Sequence, residues 1–396
     1  MTVKFAKRMD NMQASEIREL LKLTQKPEII SFAGGLPAPE LFPVKEIAEL
    51  AQDILLNNGM KVLQYATTEG HPPLRAKIAA HMQAKKLGLE IGPDDILITT
   101  GSQQGLDFTG KIFLNEGDIV LCESPSYLGA INAFNAYSPK FIEVATDEYG
   151  MIPESLEQIL ATEKNVKMLY AIPEFQNPTG ITWSLERRQQ IVAVCNKYDL
   201  PIIEDNPYGD LRYEGERLPS LMSLDQKRQT IFLGTFSKSF CPGLRIGWVA
   251  AHGELLQNYI KVKQSADLHT STLDQCIIDA YMDKYDLEKH IPVICTLYKK
   301  RRDIMLQALK EYMPKGVSFT HPEGGLFIWV TMPEGINSRD VLLKCVAKKV
   351  AFVPGDAFFP ASKKMNCMRL NFSNMPEDRI IEGIKRMAEA ISEFVK

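Results

Sequence analysis

The chain has 396 residues, enough for two or three core-forming units and a buried cleft. Hydrophobic residues make up 45% and charged residues 24%, the balance of an ordinary soluble globular protein, which argues against disordered, collagen-like and membrane-embedded classes. A formal net charge of -3 supplies no basic field, so small molecules are the expected partners and nucleic acid is not.

In chain order, residues 1–13 are charged throughout and lack the apolar stretch of a secretory signal; no later apolar run is long enough to span a bilayer. The seven cysteines are scattered, without a C-x-x-C pair or Cys/His ligand spacing, and the six histidines show no ligand spacing either. The expectation is a cytoplasmic chain with reduced thiols and no metal. Residues 14–22 read as a helix with Ile17, Leu20 and Leu21 inward, which leaves Ser15 and Arg18 on its flank. Short apolar runs at 96–100, 119–122, 168–172, 201–203, 230–234 and 246–250 then alternate with helical patterns such as 185–197, the rhythm of an α/β sheet. Turn clusters at 115–118 and 177–180 interrupt them. Towards the end, 327–330 and 368–372 predict strands of a smaller α+β unit beside Gly324 and Gly325. Ile380, Ile384, Met387, Ile391 and Val395 mark an amphipathic helix with Pro376 in its first turn. The division expected is an N-terminal segment 1–45 contributing to the small domain and active site, a large domain 46–290 and a small domain 291–396.

Chemistry concentrates where polar residues interrupt these runs. Segment 235–248, TFSKSFCPGLRIGW, follows an apolar strand and carries Thr235, Ser237, Lys238 and Arg245. A lysine at a buried strand end loses its proton readily and can condense with an aldehyde, and the hydroxyls and guanidinium beside it suit a phosphate. A lone lysine in a turn is more often merely solvated. Upstream, Asp205 emerges from the end of an apolar strand, followed by Tyr208. At the carboxyl edge of an open sheet, where ligands bind, an aspartate can keep a pyridine nitrogen protonated; read in isolation, it equally caps a turn while the tyrosine packs.

Together, QNPTG at 176–180, EDNPY at 204–208 and the segment 235–248 resemble the fold-type I aminotransferases of class I/II, and the likeness continues through 32–37, 64–70, 99–105 and 368–372. It is nearest to the 2-aminoadipate and kynurenine aminotransferase branch. The resemblance implies a large domain built on a mixed, mostly parallel seven-stranded sheet, a smaller α+β domain, and pyridoxal 5'-phosphate as cofactor. Carried over by residue, it makes Lys238 the Schiff-base lysine and proton shuttle and Asp205 the partner of the ring nitrogen, with Asn177 and Tyr208 on the ring oxygen. Ser102, Gln103, Thr235, Ser237 and Arg245 match phosphate ligands, and Tyr127 matches an aromatic residue stacked on the ring, although a tyrosine there also suits core or interface. Tyr65 matches a residue reaching a neighbouring subunit's phosphate, which implies a homodimer with shared sites; alone, it reads as a buried tyrosine ending a strand. Arg369 matches the group that grips the substrate α-carboxylate, against the alternative of a strand-edge surface charge. Gly35 joins Asn177 and Arg369 around the substrate. Ser15 and Arg18 fall where aminoadipate-type enzymes meet a distal carboxylate, while a solvated arginine between Glu16 and Glu19 fits as well.

The implied activity is ping-pong transfer of an amino group from an L-amino acid, of 2-aminoadipate, glutamate, aromatic or branched-chain type, to a 2-oxo acid such as 2-oxoglutarate. Two alternatives share the motifs: a pyridoxal-phosphate-dependent β-lyase, since the cofactor does not fix which bond breaks, and a catalytically idle regulator-like cofactor binder. The short stretch before Phe32 offers no room for the DNA-binding module of such regulators.

Overall fold

The computed structural model describes residues 3–10, 12, 28–85 and 88–395. Ser15, Arg18 and the helix expected over 14–22 lie outside the described residues. Seven strands make one sheet: β1 (Ile96–Thr99), β2 (Ile119–Glu123), β3 (Lys140–Val144), β4 (Val166–Ala171), β5 (Ile202–Asp205), β6 (Ile231–Thr235) and β7 (Gly247–Ala250), in the order β1-β7-β6-β5-β4-β2-β3. Only β7 runs antiparallel to its neighbours. The sheet is therefore the mixed, mostly parallel seven-stranded one expected. Strands β1, β2, β5, β6 and β7 are buried along their whole length, as strands covered on both faces must be, and this is why they read as apolar runs without alternation. The edge strand β3 keeps partial exposure.

Two predicted strand ends move, with a consequence for the site. The runs 201–203 and 230–234 extend to Asp205 and Thr235 because the backbone of each polar residue still has a ladder partner: Asp205 pairs with Leu233, and Thr235 with Gly247. Helix Leu185–Lys197 forms where predicted, capped by Ser184, whose side chain accepts from the backbone N–H of Arg187.

A second, four-stranded antiparallel sheet takes β8 (Ser318–Phe319), β9 (Phe327–Thr331), β10 (Val353–Pro354) and β11 (Cys367–Asn371) in the order β8-β9-β11-β10. Helices Leu287–Tyr312 and Glu377–Ser392 share its core through Met305, Leu309, Ile380, Ile384, Met387 and Ile391. Residues 290 and 291, where the sequence division falls, lie near the start of the first helix. Pro376 caps the last helix instead of entering its first turn, and Val395 lies past its end. The N-terminal Ile30–Ser31 adds to Val350–Ala351 as a parallel pair.

The segment that follows runs across the molecule and is pinned at Ala38, whose N–H donates to the Tyr298 hydroxyl at 2.8 Å; both residues are buried. Removing that hydroxyl strands the amide. Tyr298→Phe should lower stability by about 1–3 kcal/mol, read as an earlier urea midpoint; an unchanged midpoint would show that the amide finds another partner.

Candidate active site

The parallel strands deliver their carboxyl ends to one edge, where open α/β sheets bind ligands. Because β7 runs the other way, its start lies at that same edge and returns Arg245, two residues earlier, beside the ends of β1 and β6. A cleft of about 330 Å³ opens there. Gly35, Ser102, Gln103, Tyr127, Asn177, Asp205, Tyr208, Thr235, Ser237, Lys238, Arg245 and Arg369 all line it. Of the described residues singled out from sequence, Tyr65 alone does not: it is 80% exposed, edge-on to His269 with ring centroids 6.0 Å apart.

Lys238 donates to the Gly35 carbonyl at 2.8 Å, across a gap of some two hundred residues in the chain. Burial, reinforced by the positive charges of Arg369 and Arg245, brings its amine down to about 8. A minor share, still far larger than for an ordinary lysine, is thus uncharged and nucleophilic near neutral pH. Asp205 has the opposite displacement: desolvation raises its carboxyl to about 7, against the hydrogen bond from the Tyr170 hydroxyl to Oδ2 at 2.8 Å. Its other oxygen, Oδ1, is buried and has no hydrogen-bond partner among the described residues. Such an atom is costly unless a ligand supplies the donor.

Arg369 sits on β11, between β9 and β10, so it is not the strand-edge surface charge that the sequence left open. Only 1% of it is exposed. Its Nη1 donates to Asn177 Oδ1 at 2.9 Å and its Nη2 to the Ala33 carbonyl at 2.8 Å, with Nε left over. Phe327 lies beneath the guanidinium, 4.3 Å from ring centre to Cζ. Among the described residues no carboxylate is within ion-pairing distance. Asn177 in turn donates to the Tyr208 hydroxyl at 3.2 Å.

Opposite lies an anion cradle. Helix Ser102–Phe113 starts at the end of β1, after Gly101 at φ +74°, and its first two residues, Ser102 and Gln103, line the cleft. The backbone angle at Gly101 favours glycine, and a Cβ there, 2.4 Å from Arg245 Nη2, would push the guanidinium aside. The Thr235 hydroxyl donates to Ser237 Oγ at 2.9 Å, and Gln103 donates to the Gly129 carbonyl at 3.0 Å.

Ile172, Pro207 and Phe327 also line the cleft, and Tyr170 braces it from behind. Sequence reasoning passed over them because apolar or aromatic residues at strand ends look like core. Proximity to EDNPY was a usable signal for Pro207 alone.

The family described as aminotransferase class I and II matches residues 28–387. The chain is 48% identical to the aromatic-amino-acid aminotransferase 1 of Thermococcus litoralis over 99% of its own length and 95% of that protein's. It superimposes on Pyrococcus horikoshii kynurenine aminotransferase, solved with PMP, with a TM-score of 0.94, 46% identity, and coverage of 99% of this chain and 98% of that one. Against the α-aminoadipate aminotransferase of Thermus thermophilus, solved with N-(5'-phosphopyridoxyl)-L-leucine, the TM-score is 0.92 at 40% identity, over 99% and 98% of the two chains. The residues in the cleft fit such a cofactor: an unpartnered carboxylate oxygen for a ring N–H, a deprotonable amine for an aldehyde, and a cationic, hydroxyl-lined turn for a phosphate. The chain belongs to the class I and II aminotransferases, as a pyridoxal-phosphate-dependent enzyme similar to their 2-aminoadipate and kynurenine branch.

Proposed function

We propose that this aminotransferase takes the amino group of an L-amino acid of 2-aminoadipate, glutamate, aromatic or branched-chain type and passes it to 2-oxoglutarate, in two half-reactions at one site. The observation that carries this reading is the pairing of Arg369, a buried guanidinium without a carboxylate partner among the described residues, with Lys238 across the same cleft. When bound, pyridoxal phosphate supplies an aromatic ring able to take up electron density from the substrate's Cα. The chain does the rest. Arg369 grips the α-carboxylate with its planar fork, aided by Asn177 and the Gly35 backbone, and so orients the Cα–H bond. Lys238 moves the proton from Cα. Asp205 would face the ring nitrogen, Asn177 and Tyr208 the ring oxygen, and Tyr127 would cover the ring. Ser102, Gln103, Thr235, Ser237 and Arg245 would hold the phosphate. Ser15 and Arg18 remain the proposed contacts for a distal carboxylate.

The substrates for which the relatives are named, aromatic amino acids, kynurenine and α-aminoadipate, support the donor range proposed. A donor panel with 2-oxoglutarate as acceptor tests it. Turnover is expected for aminoadipate and at least one aromatic donor, with a loss of a thousandfold or more in Lys238→Ala, roughly the scale of a missing proton transfer; pyruvate release from cysteine conjugates without transamination would favour the β-lyase.

The amine's depressed titration sets a pH dependence. A lysine whose pKa is lowered is charged below it and neutral above it, so cofactor capture by cofactor-free enzyme should quicken with pH up to about 8 and then level off. An ordinary lysine would keep gaining up to pH ~10. Stopped-flow absorbance at low cofactor concentration distinguishes the two profiles.

We further propose a homodimer in which Tyr65 reaches the partner's phosphate. Helix Val44–Val62 leaves Leu56 and Met60 in the open, and Leu63 and Tyr65 follow in the same state, with Met60 97% exposed. An apolar patch of this kind marks an association surface. Met60→Glu should shift the protein towards monomer in sedimentation experiments and reduce activity tenfold or more, in parallel; a fully active monomer would end the shared-site reading.

A further inference from the structure

We propose that Tyr170 is a positioning residue for the cofactor: its hydroxyl clamps one oxygen of Asp205 so that the other is presented, anionic, to the ring nitrogen. The inference rests on the reading that Asp205 meets that nitrogen. Tyr170 lies on β4 opposite Ile203 of β5. Side chains two residues apart on a strand share a face, so Tyr170 and Asp205 are diagonal neighbours on one side of the sheet, a separation that an aromatic side chain spans and a short one does not. The hydroxyl donates to Asp205 Oδ2 at 2.8 Å, while Oδ1 is left without a partner among the described residues.

Packing accounts for the ring but not for the hydroxyl. Tyr170 is buried in the apolar cluster with Phe134, its edge-on neighbour at 5.7 Å, where phenylalanine would fill the space and avoid a buried O–H. Burial together with the charge of Asp205 holds the phenol well above its ordinary range, so it remains a donor throughout the working pH range. One donor fixed on one oxygen favours the anion and settles the carboxylate's rotation.

Tyr170→Phe removes a single atom, and the test is a double-mutant cycle with Asp205→Asn, read by the dissociation constant for pyridoxal phosphate and by the kcat and KM of transamination. In the natural background, Tyr170→Phe should weaken cofactor binding about tenfold and lower kcat by a similar factor, with substrate KM within twofold, the scale of one hydrogen bond to a charged group. In the Asp205→Asn background the same change should alter the dissociation constant less than twofold. Equal weakening in both backgrounds, or none in either, overturns the clamp. If Asp205→Asn by itself binds and turns over like the parent, the reading of Asp205 fails instead.

Discussion

Three cations, Lys238, Arg245 and Arg369, line a single cleft with Asp205. Like charges gathered in one buried cleft repel, and the site relieves this through the cation that gives up its proton most easily. Guanidinium groups hold their protons firmly, whereas an ammonium does not. The lysine therefore yields: burial and both arginines act in the same direction on it. A dianionic phosphate beside Arg245 and a substrate carboxylate against Arg369 would each offset an arginine's charge and so relieve part of the pressure on the amine. The positive excess in the cleft thus favours anionic ligands.

That gathering of charge follows from topology. Parallel strands place Thr99, Asp205 and Thr235 at one edge, and the reversal of β7 brings Arg245 back to it. Close approach then decides the small residues: Gly101 accommodates the Arg245 guanidinium, and a Cβ on Gly247 would meet the Gly101 carbonyl carbon and Ser102 nitrogen at 2.7 Å. The proposed substrate contact comes from the second sheet, where Arg369 is held between strands and over the Phe327 ring. Fold and chemistry are linked at Lys238, whose amine reaches the carbonyl of Gly35, in the segment that Tyr298 pins at Ala38.

The sequence made the sheet and the polar strand ends legible because charge at the end of a buried apolar run has a cost that packing does not explain. It was less informative where chemistry uses residues that also make good cores. Phe327 and Tyr170 sit in apolar strands and gave no contrast with their neighbours. Arg369 was ambiguous for the converse reason: strand order, which a local pattern does not contain, places it between two partners and not at an edge. Strand limits shifted by one or two residues since they depend on the partner's register. Tyr65 shows the limit of a single-chain view: its exposed ring agrees with neither a buried strand end nor a role in its own cleft.

Asn177 explains how the two halves of the site are coupled. Its amide has one accepting and one donating end, and Arg369, which only donates, requires the oxygen. The nitrogen is thereby turned to the Tyr208 hydroxyl. An aspartate here would pair more strongly with the arginine but could offer Tyr208 no proton, and a strong ion pair would occupy the guanidinium proposed to meet the substrate. A leucine would free the arginine and lose its orientation. The amide supports Arg369 by a neutral hydrogen bond that an incoming carboxylate can outcompete, while the same side chain aims a donor at the neighbouring tyrosine. Position 177 therefore calls for a side chain that is bifunctional and uncharged, which asparagine supplies at this length.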